Sequence, residues 1–289
     1  MILGFTDYAD QGERLAAALG QPFTTLDIHR FPDGESRVTL PPELPERVVL
    51  CRSLDQPNEK LVELLLAART ARELGARHLT LVAPYLCYMR QDIAFHPGEA
   101  VSQRIIGGFL ADLFDAVHTV DPHLHRIDRL DEVIPTGEST ALSAAPAMAA
   151  FLAEQTREPL LLGPDGESEQ WVRAIAEPAG LDYAVAEKER LGDREVRVKL
   201  PEATFADREV VLVDDMASTG RTLMEVVRRI REAGAERVHC LVTHALFGEE
   251  VTAGLKEAGA DRVWSTDSIA HPSNAVPLAE TLAKALRDH

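Results

Sequence analysis

"EVVLVDDMASTGRTL", Glu209 to Leu223, packs three signals into one short stretch. Val210, Val211, Leu212 and Val213 form a continuous apolar run, the pattern of a strand in a parallel sheet covered on both faces. Asp214 and Asp215 follow at its carboxyl end, where open α/β sheets bind their ligands. Met216 to Gly220 reads as a loop, and from Thr222 onward Leu223, Val226, Val227 and Ile230 take helical spacing. Small and hydroxyl residues opening a helix offer backbone N–H groups and a positive dipole end to a phosphate. The two carboxylates beside such a cradle need other partners, either hydroxyl donors or a metal ion.

Working outward, the same unit returns along the chain. "RELGARHLTLVAPY" (Arg72 to Tyr85), "REAGAERVHCLVTH" (Arg231 to His244) and "KEAGADRVWSTDS" (Lys256 to Ser268) each read as a helix end, a glycine turn and a strand. Gly75, Gly234 and Gly259 stand where a helix cap favours a left-handed residue. Repeated helix–glycine–strand units imply parallel βα crossovers. Further strands are expected at Arg47–Ser53, Pro159–Gly163 and Glu209–Asp214. Recurrence in both halves predicts an α/β chain of two similar domains, each a mainly parallel sheet flanked by helices. The expected division is 1–142 and 143–289, because "TGESTALSAAPAMAA" between them shows no sheet-like run.

Composition narrows the function classes. The chain has 289 residues, 45% hydrophobic and 27% charged, within the range of ordinary globular proteins. A formal charge of −17 argues against nucleic acid as the main partner. No apolar run reaches the roughly 18 residues a membrane span needs. The amino terminus lacks a basic region followed by an apolar stretch, so no signal peptide is expected. Cys51, Cys87 and Cys240 lie far apart in apolar surroundings and read as buried free thiols, pointing to the cytoplasm.

Several polar segments interrupt the pattern. "RFPDGESRV" (Arg30 to Val38) is a turn with Phe31, Asp33, Gly34 and Glu35, compatible with a plain surface hairpin. "APYLCYMRQDIAFHPGEAVSQR" (Ala83 to Arg104) brings Tyr85, Tyr88, Arg90 and Gln91 to a strand end, a set suited to a nucleotide. "VDPHLH" places Asp121, His123 and His125 close together, either incidentally or as metal ligands. "LLLGPDGESEQW" ends a strand in Asp165, and "AEKERLGDREVRV" is a charged hairpin.

Taken in order, FPDGE, SLDQPNEKLVELLLAARTARELGARHLTLVAPYLCYMRQD, FHPGEAVS, VDPHLH, GPD, KER and VVLVDDMASTGRT resemble the ribose-phosphate pyrophosphokinase (phosphoribosyl pyrophosphate synthetase) family over nearly the whole chain, and its archaeal-type branch in particular. The resemblance implies two phosphoribosyltransferase-type domains. It also implies transfer of the diphosphoryl group of ATP to the 1-hydroxyl of ribose 5-phosphate, with Mg2+ as cofactor. Ser218, Thr219, Gly220 and Thr222 would hold the 5-phosphate, and Asp214 and Asp215 the ribose hydroxyls. Lys188 and Arg190 would be catalytic, with His123, which would also stand at the Mg-ATP site, while Asp165 would form a carboxylate Mg2+ site. Arg90 and Gln91 would line the ATP site, and Phe31, Asp33 and Glu35 would reach the adenine from a neighbouring subunit, which implies a homodimer or higher homo-oligomer.

The chain also departs from the family pattern. Ser218 and Arg221 stand where DTGGT is usual, Glu167 and Glu169 follow Asp165 in place of a glycine pair, and Ile93 and Ala94 replace two cations after Asp92. These changes leave open a catalytically weak or regulatory paralogue, or a diphosphokinase with another sugar-phosphate acceptor. A phosphoribosyltransferase would share the Asp214 loop but would not need FPDGE or RQD.

Overall fold

A computed structural model describes residues 1–124, 127, 129–190 and 196–287; for residues 188–190, 196 and 197 it describes the backbone alone. The chain divides into two compact units, one of Met1–Ser143 with Ser268–Ala270 and Leu278–His289, the other of Ala144–Asp267 with His271–Pro277.

The first unit carries strands β1 (Ile2–Gly4), β2 (Phe23–Thr25), β3 (Asp27–Arg30), β4 (Ser36–Thr39), β5 (Arg47–Cys51), β6 (His78–Val82), β7 (Ala116–Val120) and β8 (Glu138–Leu142). Its helices are α1 (Ala9–Leu19), α2 (Pro57–Glu73) and α3 (Ser102–Ala111). Six strands form one parallel sheet in the order β2-β1-β5-β6-β7-β8. Strands β3 and β4 form a separate antiparallel hairpin. The order reverses between β1 and β5, the crevice where such sheets take ligands.

The second unit repeats this plan. Its helices α4 (Ala145–Gln155), α5 (Glu169–Ala179), α6 (Arg221–Glu232) and α7 (Glu249–Ala258) accompany strands β9 (Leu160–Gly163), β10 (Tyr183–Val185), β11 (Glu187–Arg190), β12 (Val196–Lys199), β13 (Glu209–Ala217), β14 (Arg237–Ala245), β15 (Arg262–Thr266) and β16 (Asn274–Val276). The parallel sheet runs β10-β9-β13-β14-β15-β16, and β11 pairs with β12 as a hairpin. The last helix, α8 (Ala279–Arg287), packs on α1 and belongs to the first unit, so residues 143–289 are not one compact body.

Sequence explains the central elements. Val210 to Val213 are all buried, as a strand with neighbours on both edges and helices on both faces requires. Leu223, Val226, Val227 and Ile230 turn one stripe of α6 into the core, each contributing roughly 1.5–3 kcal/mol of burial. In α2 the matching buried stripe is Leu64, Ala67, Ala68 and Ala71. Gly75, Gly234 and Gly259 adopt positive φ, as expected of helix ends. The three cysteines are buried and free.

Two expectations need correction. Strand β13 runs on to Ala217, because Met216 and Ala217 keep pairing with His244 and Ala245. The loop therefore shortens to 218–220, and α6 begins at Arg221. The segment expected to lack sheet contains β8, whose residues Glu138 to Leu142 pair along β7 at the sheet edge. A half-exposed edge strand needs backbone partners more than apolar alternation.

Candidate active site

In the second unit the switch point between β9 and β13 gathers the residues singled out on the sequence. Gly163 closes β9, and a 3-10 turn, Gly166–Ser168, carries the chain into α5. Asp165 caps that turn: its Oδ1 accepts the Glu167 N–H at 3.1 Å, and its carbonyl accepts the Ser168 hydroxyl at 2.5 Å. Across the crevice β13 delivers Asp214 and Asp215, with the Asp215 N–H donating to Asp214 Oδ1 at 3.0 Å. Asp215 is buried and Asp214 partly so.

The electrostatics of this trio are informative. Loss of water pushes the Asp214 carboxyl well above its ordinary value, and the charges of Asp215 and Asp165 push it further. Carboxylates crowded this way suit a hard cation or sugar hydroxyls far better than a bare phosphate. Mg2+ is therefore compatible with the donor set. Among the described residues no three His, Cys, Asp or Glu side chains form a ready-made metal cluster. Mg2+ does not require one, since it commonly binds one or two carboxylates together with substrate phosphates.

Beyond the aspartates the chain turns sharply. Gly220 has φ +66° and caps α6, while Ser218 and Thr219 are exposed. A Cβ on Gly220 would lie 2.3 Å from Val251 Cγ1, so only glycine fits this turn. The result is a three-residue loop, Ser218-Thr219-Gly220, feeding the amino end of a twelve-residue helix. Free N–H groups and the helix dipole meet there, with the Thr222 hydroxyl one residue into the helix. Lys188 and Arg190 lie on β11, with Lys188 paired to Val198 and Arg190 to Val196. Glu167 and Glu169 are exposed beside Asp165, and Arg221 is exposed at the start of α6.

The first unit holds the remaining candidates. Phe31, Asp33 and Glu35 occupy the turn of the β3–β4 hairpin, closed by the Phe31 N–H to the Glu35 carbonyl at 2.8 Å and the Gly34 N–H to the Phe31 carbonyl at 2.9 Å. Phe31 is 40% exposed, its ring edge-to-face with His29 at 4.7 Å between centroids. An exposed aromatic on a closed turn is a stacking surface for a flat ligand. Arg90 is exposed, while Gln91 accepts the Ser102 hydroxyl at 3.3 Å at the start of α3. His123 follows β7 with φ +46°, its N–H donating to the Asp121 carbonyl at 2.9 Å. His125 lies outside the described residues.

One polar group escaped the sequence reading. At the switch point of the first unit, Arg52 Nε lies 3.1 Å from Asp7 Oδ1, and Lys60 Nζ lies 2.8 Å from Asp7 Oδ2 and 2.7 Å from Asp55 Oδ1. Burial would raise the Asp7 carboxyl, but Arg52 and Lys60 hold it below its ordinary value. Arg52 Nη2 reaches the fully buried Glu63 at 2.6 Å, and its guanidinium stacks on Phe5 at 4.2 Å. The available signal was position: Arg52 stands two residues beyond the apolar run Val48-Val49-Leu50, as Asp214 stands two beyond Val210-Val211-Leu212.

Known proteins share this arrangement over the full chain. Residues 1–114 match the N-terminal domain of ribose phosphate pyrophosphokinase, and residues 140–281 match the phosphoribosyl transferase domain. A ribose-phosphate pyrophosphokinase of Methanopyrus kandleri is 34% identical, with 100% of this chain and 99% of the relative aligned. The chain belongs to the ribose-phosphate pyrophosphokinase family. A ribose-phosphate pyrophosphokinase of Saccharolobus solfataricus is also 34% identical, over 93% of each chain, which agrees with the archaeal-type resemblance. The phosphoribosylpyrophosphate synthetase of Mycobacterium smegmatis superposes with a TM-score of 0.84 over 99% of this chain and 97% of that one; at 22% identity it shows the common fold. No helix among the described residues is long and apolar enough to cross a membrane.

Proposed function

We propose that this member of the ribose-phosphate pyrophosphokinase family transfers the β,γ-diphosphoryl group of ATP to the 1-hydroxyl of ribose 5-phosphate, giving 5-phosphoribosyl 1-diphosphate and AMP. The observation that carries the reading is the second unit's switch point, where two aspartates stand beside a glycine-capped helix start. A sugar phosphate offers one anion and several hydroxyl donors, and this crevice complements both.

In this reading the 5-phosphate sits on the N–H groups and hydroxyls of Ser218 to Thr222, including Thr219 and Gly220. Asp214 and Asp215 accept the 2- and 3-hydroxyls and fix the ring. The 1-oxygen attacks the β-phosphorus in line as the bond from that phosphorus to the α-phosphate oxygen breaks, and AMP leaves with the electron pair. The hydroxyl proton is released to solvent. Lys188 and Arg190 set positive charge against the transferring oxygens, and such positioned charge is where catalysis of this transfer resides. His123 would hold the Mg2+ that accompanies ATP, and Asp165 would serve a separate carboxylate Mg2+ site; when bound, the metal supplies charge neutralisation on the phosphates. Arg90 and Gln91 bind ATP, and Phe31, Asp33 and Glu35 take the adenine of a neighbouring copy in a homo-oligomer. Cytoplasmic residence accords with three buried free thiols.

Phosphorus NMR of the purified chain with ATP, Mg2+ and ribose 5-phosphate tests the reaction. Equal amounts of AMP and a new sugar diphosphate are expected. Formation of ADP would indicate ordinary kinase transfer and overturn the proposal. Binding of ribose 5-phosphate without turnover would point instead to a regulatory paralogue, with Glu167, Glu169 and Arg221 as the altered residues.

A further inference from the structure

The two units carry the same hairpin. In β3–β4 the rung next to the turn pairs Arg30 with Ser36, and in β11–β12 it pairs Arg190 with Val196. Each hairpin follows the edge strand of its sheet, β2 or β10. The correspondence continues into the crevice. Arg52 follows Val48-Val49-Leu50 at the distance Asp214 follows Val210-Val211-Leu212, and Glu63 precedes Gly75 at the distance Thr222 precedes Gly234. Counted along the chain, a guanidinium in the first unit thus matches a carboxylate in the second, and a carboxylate counted back from the glycine turn matches Thr222.

Glu63 is fully buried. Its Oε2 lies 2.6 Å from Arg52 Nη2. Its Oε1 accepts the Ser36 hydroxyl at 2.9 Å and lies 3.3 Å from Arg30 Nε. Both side chains of the rung at the hairpin's neck thus converge on one carboxylate oxygen. That carboxylate is itself held by the buried Arg52, whose Nη2 faces Glu63 while its Nε faces Asp7. The adjoining cleft of about 640 Å3 is a poor anion site, since Arg30, Arg52 and Lys60 are all already paired with Asp7, Asp55, Glu59 or Glu63.

We propose that Glu63 is a positioning residue: it grips the β3–β4 hairpin at its neck, presetting the Phe31–Glu35 turn for ATP. At the corresponding positions the second hairpin has Val196 and the second unit Thr222, neither of them charged. One fold element is thereby used twice, once as a fixed platform and once as the carrier of Lys188 and Arg190. The ATP half of this inference rests on the role proposed above for Phe31, Asp33 and Glu35.

The test compares Ser36→Ala, Ser36→Thr, Glu63→Gln and Phe31→Ala by steady-state kinetics and by amide hydrogen exchange across residues 27–39. Ser36→Ala leaves the Arg52–Glu63 pair intact, so it avoids the folding risk of Glu63→Gln. It should speed exchange of the turn amides and raise the KM for ATP by about tenfold, the scale of one hydrogen bond to a charged group. The kcat at saturating ATP and the KM for ribose 5-phosphate should stay unchanged, and Ser36→Thr should restore both altered quantities. Unchanged exchange and unchanged ATP KM in Ser36→Ala, with a raised ATP KM in Phe31→Ala, overturns the proposal. Faster exchange in Ser36→Ala with no effect of Phe31→Ala on ATP confirms the grip and overturns its role toward ATP, locating the failure in the reading of the turn.

Discussion

At the residue scale, Lys188 and Asp214 do opposite kinds of work. Lys188 is assigned to charge that develops only as the diphosphoryl group moves, so Lys188→Ala should lower kcat at least about a hundredfold. Binding of ribose 5-phosphate, measured by calorimetry, should be nearly unaffected, and an unchanged kcat would remove Lys188 from catalysis. Asp214 instead stores a cost in the folded protein. Its folded pKa is raised by burial and by Asp215 and Asp165, so the fold favours its protonated form. That contribution to stability is fully present below the unfolded value of 3.8 and is lost as pH rises through the raised folded value. Asp214→Asn should therefore melt higher than the parent at pH 7 without ligands, with the gap closing as pH falls toward 4, while activity drops. A parent that melts higher at pH 7 would contradict the crowding described here.

At the element scale, the loop between β13 and α6 depends on a single backbone conformation. Gly220→Ala would force a side chain into left-handed φ, at roughly 1–2 kcal/mol, and into Val251 Cγ1 at 2.3 Å. The expected result is a raised KM for ribose 5-phosphate together with a lower melting temperature; an unaltered KM would separate the loop from the sugar site. This element also marks how much was legible in the sequence. The apolar run, the carboxylates and the helical stripe of α6 were readable because burial writes itself into periodicity. The true end of β13 at Ala217 was not, because Met216 and Ala217 are held by pairing with β14 rather than by any local preference. Strand β8 was missed for the same reason. Arg52 and Glu63 were passed over because a buried charge looks like a surface charge until its partners are seen.

At the scale of the whole molecule, the carboxyl-terminal helix ties back to the beginning of the chain. Helix α8 packs on α1 within the first unit, with Leu282 nearly fully buried. Leu282→Ala should destabilise that unit by about 2–4 kcal/mol through transfer and cavity effects. Hydrogen exchange should show the loss in α1 and its sheet while β13 and α6 keep their protection; equal loss in both units would show that α8 does not belong to one of them alone. The sequence by itself determined the parallel α/β class, the duplication, the glycine turn after Asp214 and Asp215, and the family, because local periodicity, glycine caps and polar residues after apolar runs follow from burial and backbone chemistry within a few residues. Only the tertiary structure decided where β13 ends, that β8 is a strand, that α8 returns to the first unit, and that Glu63 holds the first hairpin. Each of these depends on partners distant in the chain, whose hydrogen bonds and charges leave no local pattern to read.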